Sequence, residues 1–288
     1  MSLGIIAALI AMLSWGFGDF LIQRSTRKIG DFETLFLITL FAVIILIPFV
    51  RNDLINLLSV FNRTSWILLS GGILLFIAAL LEFEALKKGK ISVIEPTWSL
   101  EIPTAVILST LVLNESLTKF QIILIIGLIT GLILVSYRNG TITKRFLLEK
   151  GVRISILAAI IMGATNFFVG WGARETDPLL VNFVISFISF IGSGVFLIYK
   201  KKLGGAFKHL IHYPKIVIPM MVLDNLAWIA FAYGMVLAPI GITVALSESY
   251  IIIAVLLGIF VGREKLEGHQ YFGLVIATLS AIALALSI

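Results

Sequence analysis

Seven carboxylates interrupt apolar stretches of this sequence in which no Lys or Arg accompanies them at depth: Asp19, Glu82, Glu84, Glu95, Glu101, Asp224 and Glu248. A charged side chain at the centre of a membrane helix costs roughly 2.5 to 3.5 kcal/mol on insertion scales. This cost is tolerable where the acids face a water-filled cavity, pair with cations or hold protons. The acids therefore predict a polar cavity inside an otherwise apolar structure.

Tryptophans share a helical face with three of these acids. The pairs are three or four residues apart, a spacing that brings side chains together on a helix: Trp15 with Asp19, Asp224 with Trp228, and Glu95 with Trp98. An aromatic ring beside a carboxylate attracts an organic cation through cation–π interaction. These pairs favour a site for a small cation or zwitterion, such as an amine, an amino acid or a drug-like metabolite.

The elements that must position these residues are transmembrane helices. The chain of 288 residues is 59% hydrophobic and 13% charged, with a mean hydropathy of +1.09, whereas soluble domains contain about 25% charged residues. Windows long enough to cross a bilayer, roughly 17 to 25 residues, recur throughout. We predict an all-α integral membrane protein with ten spans near 3–22, 34–50, 66–86, 91–113, 118–136, 154–172, 178–199, 216–237, 240–261 and 267–287.

Basic residues alternate from loop to loop. Of the 22 Lys and Arg residues, 18 fall in the odd-numbered loops between spans and 4 in the even-numbered loops. Because cytoplasmic loops carry the excess of Lys and Arg, the odd-numbered loops are predicted to be cytoplasmic and both termini to lie outside. The sequence thus predicts a multi-pass protein of the cell membrane.

The same counts indicate an internal repeat of opposite orientation. Residues 115–121 and 264–270 both read Glu-x-Leu-x-x-x-Gln, an offset of 149, and residues 16–20 (Gly-Phe-Gly-Asp-Phe) align with 163–167 (Gly-Ala-Thr-Asn-Phe). We expect Glu115 and Glu264 to cap the last helix of each half. The predicted organisation is a first five-helix repeat at 1–137, a cytoplasmic linker at 138–153 and a second repeat at 154–288.

Transporters built from inverted repeats bind substrate near the bilayer midplane, where the halves meet. Glu101, Asp224 and Glu248 lie near the midpoints of their spans, so they are also the proton-coupling candidates, with Glu101 first because Pro96 and Pro103 flank it. The predicted substrate-binding residues are Trp15, Asp19, Trp98, Glu101, Asn166, Asp224, Asn225, Trp228 and Glu248.

With these features the chain resembles the EamA-type permeases of the drug/metabolite transporter superfamily. The residues that carry the resemblance are Trp15-Gly16, Pro103, Asn114-Glu115, Gly127, Gly131, Arg263-Glu264 and Gly273. The resemblance implies ten helices as a 5+5 inverted repeat, and a secondary transporter that exports or exchanges small solutes by alternating access. One departure is that Ile252 stands opposite Pro103.

Two other functions stay open. Gly16-Phe17-Gly18-Asp19 spells the Gly-x-Gly-Asp motif of intramembrane aspartyl proteases, for which Asp224 would be the second carboxylate. Against this alternative, the repeat places Asn166 opposite Asp19. The second alternative is a non-transporting membrane scaffold.

The remaining chemistry is predicted to be absent. The chain has no cysteine, two of its three histidines fall in a predicted loop and His269 lies at the very start of the last span, so we expect no metal site. Neither a phosphate-binding loop nor a cofactor motif is found, so we predict no enzyme activity and no cofactor. The cluster Lys200-Lys201-Lys202 favours an anchor to anionic lipid over a nucleic-acid site. Gly127-x-x-x-Gly131 is a helix-packing face, and the protein is expected to be a monomer or a weak homodimer.

Overall fold

The computed structural model describes residues 2–59, 61–88, 97–136, 150–260 and 266–288. Its twelve helices within these ranges are α1 (Leu3–Ile29), α2 (Asp31–Ser59), α3 (Arg63–Lys88), α4 (Glu101–Leu113), α5 (Lys119–Ser136), α6 (Lys150–Glu175), α7 (Pro178–Tyr199), α8 (Leu203–His212), α9 (Pro214–Leu237), α10 (Ile240–Ser247), α11 (Tyr250–Phe260) and α12 (Gly268–Leu286).

The helices confirm the prediction of an all-α membrane protein. In the described ranges, nine segments are long and apolar enough to cross a membrane, and α4 is a shorter apolar helix. The large aliphatic and aromatic side chains on their outer surfaces, such as Leu111 and Phe49, are exposed. This exposure is what a protein solvated by lipid requires, because burial of apolar surface drives folding only in water.

Helix pairing follows the repeat. Helix α1 of the first half packs along α9 of the second half, and the equivalent pair is α6 of the second half along α3 of the first. The pairs α2–α7 and α5–α12 each join a helix to its own equivalent in the other half. An inverted repeat produces this pattern, because a pseudo-two-fold axis in the membrane plane exchanges the halves.

The ninth predicted span, 240–261, is two helices rather than one. The break lies at Glu248–Ser249, between α10 and α11. The hydroxyls of Ser247 and Ser249 donate to the carbonyls of Val244 (3.0 Å) and Ala245 (3.0 Å). Serine hydroxyls compete in this way for the carbonyls that continue a helix and often bend it.

The fourth predicted span has the same break at the equivalent position. Helical Thr97 and Trp98 are followed by a turn at Ser99–Leu100, before α4 begins at Glu101. The N–H of Leu100 donates to Thr97 O (3.1 Å), and 149 residues later the N–H of Ser249 donates to Leu246 O (3.2 Å). Residues 91–96 of this span lie outside the described residues. Both halves thus carry a discontinuous helix where the repeat predicts equivalence.

Helices α5 and α12 are in close backbone contact. A Cβ atom at Gly131 would lie 2.5 Å from Ala277 N and 2.7 Å from Gly273 O, and one at Gly127 would lie 2.7 Å from Ser280 Oγ. The small-residue face predicted at Gly127 and Gly131 is therefore filled by α12 of the same chain.

The glutamines of the repeated Glu-x-Leu-x-x-x-Gln motif hold the ends of these two helices. Gln121 Oε1 accepts from Thr118 N (3.0 Å) in a capping box, and Gln270 forms the same box with Glu267. Across the helix pair, Gln270 Nε2 donates to Val135 O (2.8 Å). The motif therefore repeats because each half needs this cap. Thr118 and Gln121, rather than Glu115, cap α5, and Glu264 lies outside the described residues.

Candidate functional site

Glu101 begins α4 immediately after the helix break. It is 5% exposed, and its Oε2 accepts a hydrogen bond from Asn166 Nδ2 of α6 (3.1 Å). Gly163, one turn earlier on α6, permits this contact, because a Cβ there would lie 2.6 Å from Glu101 O. The first turn of a helix also favours a negative charge through the free N–H groups and the macrodipole. Two predicted site residues, Glu101 and Asn166, are thus in direct contact.

The equivalent arrangement joins α1 of the first half to α11 of the second half. A Cβ at Gly16 of α1 would lie 2.7 Å from Ile253 Cβ of α11, as one at Gly163 would lie 2.7 Å from Thr104 Cβ of α4. Asp19, the equivalent of Asn166, interacts electrostatically with Tyr250, the equivalent of Glu101. The two halves therefore present an Asn–Glu pair and an Asp–Tyr pair at matching positions.

Four carboxylates interact electrostatically: Asp19 of α1, Glu82 of α3, and Glu101 and Glu248 at the two helix breaks. The charges of the other three act on Glu101, and those of Asp19 and Glu82 act on Glu248. Glu101 and Glu248 are each 5% exposed, whereas Asp19 and Glu82 are half-buried. We call these four residues the acid cluster. Such a cluster repels its own members, and a bound cation or proton relieves the repulsion.

The fifth acid, Asp224, lies in an aromatic setting on α9. It is 8% exposed and accepts a hydrogen bond from the indole of Trp15. The Trp15 ring meets the edges of Trp228 (centroids 5.3 Å apart) and Phe231 (5.1 Å). Trp15, which shares a face of α1 with Asp19 as predicted by the spacing, thus also contacts α9, because these helices pack along one another.

Two further predicted residues have specific surroundings. Asn225 Nδ2 donates to Ile38 O of α2 (3.2 Å) and to Met221 O (2.8 Å), which ties α9 to α2. Trp98 is half-buried, and its Nε1 has no hydrogen-bond partner among the residues that the structure describes. Its predicted neighbour Glu95 lies outside the described residues.

Tyr250, Glu82 and Asn182 adjoin the site but are absent from the predicted set. Tyr250 was recoverable from sequence as the residue 149 positions after Glu101. The sequence predicts that one of Glu82 and Glu84 meets Lys87 or Lys88, with Glu84–Lys88 as the pair four residues apart, but the side chains of both lysines lie outside the described residues. Asn182 of α7 donates to Trp228 O (3.2 Å); no sequence pattern indicates this contact between helices.

One end of the molecule is closed by polar contacts. Arg174, at the end of α6, forms an ion pair with Glu115 (2.6 Å) and donates to Met235 O (2.7 Å) and Ala238 O (2.9 Å). Both carboxylate oxygens of Glu115 accept from Ile240 N (3.0 Å each), so that Glu115 caps α10. We call Glu115, Arg174 and their backbone partners the latch. It joins three even-numbered loops.

Both chain termini lie at the latch end. Gly4 packs against Leu237 and Ala238, and Gln121 Nε2 donates to Ser287 O (3.4 Å). The loop before α3 is also there, because the Arg63 guanidinium lies 5.0 Å from the Trp171 ring centroid. The termini and the even-numbered loops therefore lie at one end of the molecule. The odd-numbered loops, which carry most of the basic residues, belong to the opposite end.

The comparisons with known proteins decide the family. The EamA-like transporter family matches residues 2–137 and 149–286, which are two consecutive copies across the chain. The chain belongs to the EamA-like transporter family. The resemblance drawn from the sequence is confirmed, and with it a multi-pass membrane transporter of the drug/metabolite type that handles a small molecule.

Two individual proteins are also similar to this chain. The chain is 30% identical over 139 residues to "Uncharacterized protein MJ1333.1" of Methanocaldococcus jannaschii, which covers 48% of this chain and 100% of that protein. A solved structure described as "Crystal structure of protein" has a TM-score of 0.75 at 16% identity, covering 98% of this chain and 94% of the other. The second match shows a shared fold.

The geometry gives the two aspartates of the protease alternative different partners. Asp224 accepts from Trp15, while Asp19 interacts with Glu82, Glu248 and Tyr250. Aspartyl catalysis requires two carboxyls that share one proton. Members of the EamA-like family are transporters.

Proposed function

We propose that this EamA-like transporter exports or exchanges a small organic cation or zwitterion by alternating access of its two halves. The observation that carries the proposal is the acid cluster at the two helix breaks. Discontinuous helices near the midplane form the substrate and ion sites of inverted-repeat transporters. The charges acting on Glu101 and Glu248 are those of other carboxylates, so a positive ligand is the complementary one.

The aromatic residues define the second part of the proposed site. Trp15, Trp228 and Phe231 form a contiguous cluster beside Asp224, with Trp228 and Phe231 centroids 5.9 Å apart. Ammonium groups bind over such rings, and the apolar part of an amine gains from the same surface. The predicted substrate-binding residues Trp98 and Asn225 are proposed to line the flanks of this site.

The proposed topology places the latch outside. The odd-numbered loops hold most of the basic residues, and the positive-inside rule assigns them to the cytoplasm. The latch would then close the outer end in this conformation, while the half-buried Asp19 and Glu82 face the inner approach. Residues 1–137 and 154–288 act as the two moving repeats and 138–153 as their cytoplasmic linker.

Proton coupling follows from competition for the same carboxylates. A carboxyl that releases its proton as a cation binds, and regains it as the cation leaves, links transport to pH. We rank Glu101 first because it joins both halves of the site through Asn166, then Asp224, then Glu248.

The experiment first screens the purified protein by thermal shift with primary amines, quaternary ammonium compounds and amino acids. The affinity of a compound that binds is then measured from about pH 5.5 to about pH 8.5 for the wild type, Glu101→Gln, Asp224→Asn and Glu248→Gln. Wild-type affinity should rise with pH, because protons compete with the cation. The variant at the linking residue should lose this slope.

Glu175→Gln is the matched control, since it removes an exposed carboxylate of α6 whose bond to Trp171 a glutamine oxygen can still accept. If all three site variants keep the wild-type slope, proton exchange is refuted. If none of the amines, quaternary ammonium compounds and amino acids stabilises the protein, the cation site is refuted as well.

A further inference from the structure

An apolar groove opens on the surface of the helix bundle. It has a volume of about 510 Å³ and lies between α2, α3 and α7, with walls formed by Phe32, Phe76, Leu80, Val195, Phe196 and Tyr199. In a membrane protein this surface faces acyl chains. The groove runs along the last two turns of α7 and ends where that helix ends, at Tyr199.

Three consecutive lysines stand at the mouth of this groove. Lys200, Lys201 and Lys202 are all exposed, and none forms an ion pair with any residue that the structure describes. Lys200 Nζ lies 5.3 Å from the Tyr199 ring centroid and 5.7 Å from that of Phe196. Since both rings line the groove, the ammonium group is at its entrance.

The backbone fixes this arrangement. Lys201 adopts φ 56°, in the left-handed region, and the N–H of Lys202 donates to Leu197 O (2.8 Å). This is the hydrogen bond of a helix C-terminal motif that normally uses glycine at the left-handed position. The turn therefore holds the lysines at the end of α7 instead of leaving them on a mobile loop.

The following helix lies at the same end. α8 (Leu203–His212) buries Ala206 and exposes Phe207, Lys208 and Ile211. A short helix with apolar and basic exposed residues is typical of the membrane–water interface. The lysines are thus at head-group level, and the groove below them at acyl-chain level.

We propose that this groove is a binding site for an anionic phospholipid, with one acyl chain between α2, α3 and α7 and the phosphate held by Lys200, Lys201 and Lys202. From Gly192, at the deep end of the groove, to Lys200 is about 12 Å along the helix axis, most of the roughly 15 Å of one leaflet. A second copy of the chain is a poor occupant, because the lysines of two copies would face one another.

The test compares lipids that share acyl chains and differ in charge. The delipidated protein in a neutral detergent is titrated with dioleoyl phosphatidylglycerol or dioleoyl phosphatidylcholine, and binding is followed by native mass spectrometry and thermal shift. Only the anionic lipid should bind tightly. A surface lysine contributes about fivefold to anionic lipid binding, so replacing Lys200, Lys201 and Lys202 together by Gln should weaken it on the order of a hundredfold.

Two further variants separate the groove from the charges. Val195→Trp fills the groove without changing charge and should weaken the anionic lipid at least tenfold. The control, Lys208→Gln with Lys215→Gln, removes two lysines of the same loop and should change affinity by no more than about fivefold. Glycerol 3-phosphate, the head group without chains, should not stabilise the protein.

Each other outcome refutes the proposal. Equal binding of both lipids, or an unchanged affinity of the triple-lysine variant, removes the role of the lysines. Stabilisation by glycerol 3-phosphate alone, or unchanged binding of the anionic lipid to the Val195→Trp variant, would show that the groove does not bind the acyl chain. A delipidated dimer that Val195→Trp converts to a monomer would make the groove a contact between copies. The result is independent of the transported substrate.

Discussion

Weakening the latch is predicted to shift the protein towards a conformation in which the latch end is open. Glu115→Gln keeps the size of the side chain but removes the negative charge of the carboxylate, which pairs with Arg174 and accepts a hydrogen bond from Ile240 N. The two side chains are 11% and 28% exposed, so the contact is partly shielded from water. Hydrogen bonds to charged groups contribute about 1.5 to 3 kcal/mol. If the latch forms only when its end is closed, this loss shifts the closed-to-open equilibrium by roughly 10- to 150-fold.

The distance between the loops at this end measures that shift. The chain has no cysteine, so spin labels can be placed at Lys119 and Leu237, two exposed positions on α5 and α9. Electron paramagnetic resonance of the wild type should give one short distance. The Glu115→Gln protein should add a longer distance, in a fraction that grows with the size of the shift.

Glu175→Gln serves as the control because it removes a neighbouring charge and leaves the latch intact. Superimposable distance distributions for the wild type and Glu115→Gln, in lipid nanodiscs as well as in detergent, would refute a gating role. A longer distance in Glu175→Gln would instead attribute the change to net charge at this end.

Two other predictions concern topology and packing. Single cysteines at Lys144 and Thr176 should be labelled from the cytoplasmic and the outer side respectively; labelling of Lys144→Cys from outside intact cells would invert the topology. Gly131→Leu should lower the free energy of unfolding by about 1 to 3 kcal/mol, because the leucine side chain would meet the backbone of α12. Gly268→Ala should be nearly neutral, because nothing lies within 4 Å of a Cβ atom at that position. Equal Tm values for both variants would contradict the close contact between α5 and α12.

Hydropathy and the repeat made most of the fold predictable. Long apolar windows in lipid can only be helices, because every backbone polar group must be satisfied internally. The alignment of Gly16 with Gly163 and of Asp19 with Asn166 also anticipated equivalent contacts against α11 and α4. Equivalent residues in an inverted repeat contact equivalent neighbours. The alignment of the two repeats therefore predicts that these contacts match, even when the packing of the helices is unknown.

Contacts between helices were not predictable in the same way. Residues 240–261 are long and apolar enough to be predicted as one span, and the break at Glu248–Ser249 appears only in the structure. The spacing along α1 relates Trp15 to Asp19, but it cannot reveal that Trp15 also interacts with Asp224, which lies on α9. Glu115 likewise caps α10, 125 residues further along the chain.

The pairing of helices has a consequence for how the molecule holds together. The pairs α1–α9, α3–α6, α2–α7 and α5–α12 each take one member from either half. Neither repeat therefore has a separate core. The helices of the two repeats interdigitate and form one shared core. The protein should unfold as one cooperative unit, and severing the chain between α5 and α6 should leave two fragments that are stable only together.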